Sequence, residues 1–242
     1  MSIKCRFCPI RNFPLFQQLS EAEVAFMERF KVGEMTVQPD TPILSAGSSS
    51  PQIFTALKGF GLRYKLLEDG RRQVLSFIFP GDLIGLQAGV MNQMTHSVDS
   101  TTSMTLCVFN RNELWSLFRN FPARAYDLTW IAASEERFLG EALTAIGQKS
   151  AFESMCWALS RIYRRLEALQ MDERRSVPLP YRQQDLADAL GLSLVHTNKT
   201  LAKLRERQIA NWSEGRLTVN DIQALEEMGL VESKLPRPRP LI

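Results

Sequence analysis

From residue 33 to about residue 112 the chain alternates short apolar runs with glycine. The runs "IFTAL", "GLRYKLL", "QVLSFIF" and "SMTLCVF" have strand length, and glycines at 33, 47, 59, 61, 70, 81, 85 and 89 punctuate them. That texture predicts many short antiparallel strands joined by turns, as in a sandwich or roll. Asp69-Gly70, lying between two such runs, is a hairpin signal because tight hairpin turns need residues that tolerate positive φ. Upstream, Ser20 and Glu23 are spaced as a capping box, which predicts a short helix through "AEVAFMERF".

After "FRNFPA" the period changes. No proline falls between Arg124 and Ile146, and Leu128, Ile131, Phe138, Ala142 and Ala145 recur near a/d spacing, with Glu135 interrupting. A second set, including Trp130 and Leu139, faces elsewhere. A long helix that is apolar on two sides has two partners, its own domain and a second copy of itself, or it is simply buried. Periodicity does not choose between these. Gly147 can close this helix, and Ser150 with Glu153 opens another by a second capping box. The next helix carries Phe152, Met155, Cys156, Leu159, Ile162, Tyr163 and Leu166 on one face. The tail "KLPRPRPLI" reads as proline-rich, extended and mobile.

The segment 181–221 carries a mechanism. A helix through "QQDLADAL" is followed by Gly191, which makes a sharp turn. Ser193 is placed to cap a second helix, "LVHTNKTLAKLRER". This is the spacing of a helix-turn-helix. At roughly 100° per residue, Leu194, Thr197, Leu201 and Leu204 share one quadrant and face the core. Val195, His196, Lys199, Ala202, Lys203 and Glu206 lie opposite, with Asn198 on the flank. "IANWSEGRLTVN" adds two short strands around a Glu-Gly turn, a wing. An outer face that is small or polar at its first turn and carries lysines suits a helix entering a major groove.

Composition adds limits. The chain has 242 residues, 45% hydrophobic and 23% charged, which is ordinary for a globular protein. No apolar run reaches membrane-span length and "MSIKCRFCPIRNF" lacks a signal-peptide core, so no membrane partner and a cytoplasmic location are expected. Charges balance over residues 1–147. The net +3 falls in 148–242, which is compatible with a nucleic-acid partner. There is no nucleophile–base pair, P-loop or H-E-x-x-H, and the histidines are His96 and His196, so enzyme activity is not expected. Of four cysteines, Cys156 sits in an apolar stripe and reads as a buried hydrophobe. Cys5 and Cys8 form a C-x-x-C pair, which suits a metal, a cluster or a redox pair.

The stretches "LKGFGLRYKLLEDGRRQVLSFIFPGDLIG", "AIGQKSAFES" and "LADALGLSLVHTNKTLAKLR" resemble the Crp/Fnr superfamily of transcription regulators, over nearly the whole chain. The recognition helix is similar to that of the FixK-like subgroup. The resemblance implies an α+β fold: an N-terminal antiparallel β-roll of the cyclic-nucleotide-binding kind, a long dimerisation helix and a C-terminal winged helix-turn-helix. The expected boundaries are 1–122, 123–147 and 148–235, with a proline-rich tail at 236–242. It further implies a homodimer on a two-fold symmetric double-stranded operator, with RNA polymerase as a partner. Gln183, Ser193, Val195, His196, Asn198, Lys199 and Lys203 become the expected DNA contacts. Val195 and Lys199 stand where better-known members place a base-reading glutamate and arginine. Leu86 and His96 stand where cyclic-nucleotide binders place the glutamate and arginine that grip ribose and phosphate, so cyclic AMP is not expected. Cys5, Cys8 and Cys107 match three ligands of cluster-bearing relatives, while the remaining N-terminal position falls near Pro14. They are candidates for an iron–sulfur cluster or for redox thiols, which makes oxygen or redox state the expected signal. The alternatives are a ligand-independent regulator of the same type and a small-molecule-binding roll protein of another class.

Overall fold

The computed structural model describes residues 2–232 and 238–242. The chain divides into two units. One holds Met1–Arg71, Leu75–Glu135 and Pro238–Ile242; the other holds Arg72–Val74 and Glu136–Arg237.

The first unit opens with a 3-10 turn at Cys5–Phe7 and helix α1 (Glu21–Phe30), capped by Ser20 and Glu23 as a reciprocal capping box. Strands β1 (Lys31–Val37), β2 (Pro42–Leu44), β3 (Gln52–Lys58), β4 (Gly61–Leu66), β5 (Arg72–Ile78) and β6 (Leu83–Ile84) follow. Helix α2 (Leu86–Met91) leads to β7 (Ser97–Ser100), β8 (Met104–Asn110), α3 (Leu114–Asn120) and the 27-residue α4 (Pro122–Gln148). Two four-stranded sheets result, ordered β1-β8-β3-β6 and β2-β7-β4-β5. Phe54, Ala56, Leu106 and Val108 from one sheet and Leu44 and Val98 from the other join a single buried cluster. Burying each such aliphatic side chain stabilises by roughly 1.5–3 kcal/mol. Asp69-Gly70 makes the expected hairpin between β4 and β5, with Gly70 at φ +83° and the Leu67 N–H donating to Arg71 O at 2.8 Å.

The Pro80–Gly85 turn is tightly built. Gly81 N–H donates to Ala56 O at 2.7 Å, and the buried Asp82 carboxylate accepts from Phe79 N–H at 2.8 Å. Gly81 lies at φ +87°, and a Cβ there would strike the Phe16 ring, so only glycine fits.

Residues 238–242 were expected to be extended and mobile. They are extended, but Pro240, Leu241 and Ile242 are buried in the first unit, and Arg239 pairs with Phe16 as an isolated parallel bridge. The rest of the expected tail, and residues 233–235 before it, lie outside the described residues.

In the second unit, α4 continues to Gln148, one residue past Gly147, and Ser150 with Glu153 caps α5 (Ala151–Ala168). Met155, Cys156, Leu159, Ile162, Tyr163 and Leu166 form the buried face of α5. Phe152 is half-buried beneath the Arg207 guanidinium, 4.9 Å from its ring centre. Strand β9 (Ser176–Pro178), helices α6 (Gln183–Leu190) and α7 (Leu194–Glu206), the hairpin β10 (Ala210–Ser213)–β11 (Arg216–Val219) and α8 (Ile222–Met228) complete it. The sheet order is β10-β11-β9. Among the described residues no helix is long and apolar enough to cross a membrane.

Candidate nucleic-acid interface

Three local devices set the angle between α6 and α7. Asp185, which is fully buried, accepts from Arg182 N–H at 2.8 Å and so closes the start of α6. Burial pushes its carboxyl up, but hydrogen bonds from the Arg182 side chain and backbone bring it below its usual value. Gly191 ends α6 in the left-handed conformation, φ +66°, and Leu192 N–H donates to Ala187 O at 3.0 Å. Ser193 then caps α7, its hydroxyl accepting from His196 N–H at 3.2 Å.

The faces of α7 are set by what packs beneath it. Thr197, Thr200 and Leu204 are buried. Leu194, expected in the core, is 40% exposed and Leu201 is half-buried, while Thr200 takes the inner position. The reason is helical phase: 197, 200 and 204 centre the buried arc, which leaves 194 and 201 on its edge. Val195 is 64% exposed, and His196, Asn198, Lys199 and Lys203 are exposed as well. Val195, Lys199, Lys203 and His196 fall within an arc of roughly 100°. Gln183 is half-buried at the first residue of α6. Arg182, not among the expected contacts, has a side chain 68% exposed at the same end. The β10–β11 hairpin turns through Glu214 (φ +51°) and Gly215 (φ +69°), the two positive values of a type I′ turn.

A Crp-like helix-turn-helix domain family matches residues 160–228, and a cyclic nucleotide-binding domain family matches residues 34–121. The nitrogen fixation regulation protein FixK of Rhizobium meliloti is 30% identical over 181 residues, 75% of this chain and 79% of the relative. The chain belongs to the Crp/Fnr family. It is therefore a DNA-binding transcription regulator of Crp/Fnr type. The transcriptional activatory protein AadR of Rhodopseudomonas palustris is 28% identical over 202 residues, 84% of this chain and 83% of its own. The transcriptional activator protein FnrL of Cereibacter sphaeroides is 26% identical over 231 residues, covering 93% and 92%. Among solved structures, FixK2 from Bradyrhizobium japonicum shares the fold with a TM-score of 0.72 at 22% identity, covering 84% of this chain and 98% of that one.

In the roll of this Crp/Fnr regulator, Leu86 begins α2 just after Gly85, an apolar side chain where a ribose grip is expected. His96 is half-buried, and burial with the Arg63 and Lys65 cations pushes its pKa down to about 4. The imidazole is therefore neutral near pH 7. The buried Arg63 guanidinium donates to Ser76 Oγ at 3.0 Å and to Leu83 O at 2.6 Å, and lies 3.5 Å from Glu135. Its charge is engaged by internal acceptors.

The three expected thiols lie in one region without forming a ligand group among the described residues. Cys107 lies in β8, opposite Glu34 of β1 and Thr55 of β3. Cys5 opens the N-terminal 3-10 turn and Cys8 follows it, both half-buried. Cys8 is near enough for its charge to act on both Cys5 and Cys107. Lys31 reaches into the group. Its ammonium donates to Ile3 O and Glu34 Oε1, each at 2.6 Å, and lies near enough for its charge to act on Cys5 and Cys107. Burial pushes the Cys107 thiol up to about 11 and raises Cys5 as well. Among the described residues no three Cys, His, Asp or Glu side chains are grouped to hold a metal ion. With an ammonium among them and proline near the remaining ligand position, these residues do not fit an iron–sulfur cluster. Cys156, fully buried in α5, has its thiol pushed to about 12 by burial, as a packing residue should.

Proposed function

We propose that this regulator acts as a homodimer on a two-fold symmetric operator and takes its signal through the roll thiols rather than through cyclic AMP. The observation that carries the DNA reading is the exposed arc of Val195, His196, Lys199 and Lys203 on a helix backed by Thr197, Thr200 and Leu204. Lys199 reaches base edges, Val195 touches a thymine methyl, and Lys203 and Asn198 meet phosphates. Gln183 and Ser193 supply backbone-positioning contacts from the two helix starts. Pairing through α4 is supported by its exposed Leu139, Leu143 and Ile146, spaced three and four apart. RNA polymerase as partner and the cytoplasm as location complete this reading, and the Crp/Fnr membership supports them.

The experiment is gel-shift selection from random duplexes. Selected sites should be two-fold symmetric, with half-sites about 10 bp apart. Lys199→Ala should weaken binding to the selected site by about 1–3 kcal/mol, and His196→Ala by less and equally on all sequences. Unchanged affinity for Lys199→Ala sinks the recognition-helix assignment.

The signal reading rests on Cys5, Cys8 and Cys107 lying within range of one another's charge and of Lys31, and on the neutral His96, apolar Leu86 and internally engaged Arg63 of the nucleotide pocket. Oxidised and reduced protein should differ in DNA affinity, and Cys107→Ser should erase the difference. The buried, proton-holding Cys107 thiol favours a second reading, a ligand-independent regulator. Equal affinity in both redox states selects it.

A further inference from the structure

The segment Pro238–Ile242 belongs to the roll unit and is held by groups the roll buries for it. Arg239 N–H donates to Leu15 O at 2.8 Å, and Gln17 N–H donates to Arg239 O at 2.9 Å, so the segment lies as a strand beside Leu15–Gln17. The Arg239 guanidinium meets the Asp82 carboxylate at 2.8 Å. Thr55 Oγ1 donates to Ile242 O at 2.6 Å, and Arg124 Nη2 donates to Leu241 O at 2.5 Å. On the roll side, Thr55, Asp82 and Arg124 are 3%, 6% and 1% exposed.

These are not surface accidents. Arg124 is an ionised side chain inside the roll, balanced by Asp127 at 3.0 Å and Glu23 at 3.9 Å. A buried donor left without its acceptor is costly, so the Leu241 carbonyl is part of what keeps Arg124 inside. Asp82 belongs to the Gly-Asp turn of the roll, and its other oxygen caps that turn at Phe79. Gly81 leaves the space that Phe16, the pairing partner of Arg239, fills.

The segment is also built to bind. Pro238 and Pro240 hold their φ angles near extended values, and Pro240 biases Arg239 before it to extended backbone, which lowers the entropy lost on docking. The buried Pro240 brings in no N–H needing a partner. Leu241 and Ile242 add buried apolar surface.

We propose that the roll carries a peptide-binding groove, bounded by Leu15–Gln17, Thr55, Asp82 and Arg124, whose ligand is the chain's own Pro-Arg-Pro-Leu-Ile segment. The ligand class is a short extended peptide with an arginine between prolines and two aliphatic residues after it. It staples the Gly-Asp turn to α4 and β3 from within, as an internal ligand of the roll.

Residue-resolved hydrogen exchange on the full chain tests this. The Gln17 and Arg239 amides should exchange about 100-fold or more slower than open chain. Arg239→Glu sets a carboxylate against Asp82 and should release both amides to near open-chain rates, while Arg239→Lys should largely preserve protection. A chain lacking residues 238–242 should melt lower than the full chain. Added peptide of sequence Pro-Arg-Pro-Leu-Ile should restore the melt saturably, and the same peptide with Glu for Arg should not. Open-chain exchange at Gln17 and Arg239 in the unaltered protein overturns the proposal. So does protection unchanged by Arg239→Glu, or a truncated chain that melts normally and takes no peptide. If the truncated chain does not fold, the Arg239→Glu exchange decides alone.

Discussion

Thr197 shows how much a single α7 position depends on what surrounds it. Its side chain is fully buried, yet Oγ1 finds no hydrogen-bond partner among the described residues. Thr200, one turn on, donates its hydroxyl to His196 O at 2.9 Å. An unpaired buried hydroxyl costs about 1–3 kcal/mol. Thr197→Val keeps the β-branched shape and removes the orphan, so it should raise the melting temperature and leave DNA affinity unchanged. A melt that falls instead shows that Oγ1 has a partner after all. His96 supplies a pH effect. Its unfolded-state pKa is 6.5 and burial with Arg63 and Lys65 lowers it to about 4 in the roll. Between those values the unfolded chain binds more protons than the folded one, so this histidine makes stability fall as pH drops from 6.5 towards 4. His96→Gln should flatten that part of a pH–denaturation curve, and a curve of unchanged shape refutes it.

At the scale of elements, starts and stops were the most readable features. Both capping boxes, the Asp69-Gly70 hairpin, the Gly191 turn and the Ser193 cap form where local chemistry places them, because each needs only neighbours within a few residues. Gly191→Ala puts a Cβ on a left-handed residue, which costs about 1–2 kcal/mol. It should lower the melting temperature and weaken DNA binding through the angle of α7. A melt equal to that of the unaltered protein would show that the turn relaxes freely. Which face each helix buries was less readable. The edge positions Leu194 and Leu201 looked apolar enough for the core, but the phase of α7 left them exposed and half-buried, while Thr200 joined the expected Thr197 inside.

For the whole molecule, α4 is the element whose exposure asks for a partner. Leu128, Ile131 and Ala145 are buried, while Leu143 is 72% exposed and Leu139 and Ile146 are open beside it. The sequence left a buried helix and a helix with two partners equally open; this stripe favours the second. Leu143→Asp should shift the protein to monomer by sedimentation and reduce operator affinity, since a dimer multiplies two half-site contacts. A monodisperse dimer in that variant removes α4 as the pairing helix. The thiol group and the seated 238–242 segment belong to the same scale. Each joins residues more than 70 positions apart; local pattern shows the C-x-x-C pair but not the seat of residues 238–242.

What the sequence by itself determined is the order of elements, the family and the helix-turn-helix with its wing, since these rest on period, caps and turn chemistry that act over a few residues. Only tertiary structure decided that the Lys31 charge lies near Cys5 and Cys107, that Arg63 is engaged inside the roll, and that Arg239 reaches Asp82. Those facts depend on which distant groups share one low-dielectric interior. There an unpaired charge is so costly that partners are chosen by the fold rather than by spacing along the chain.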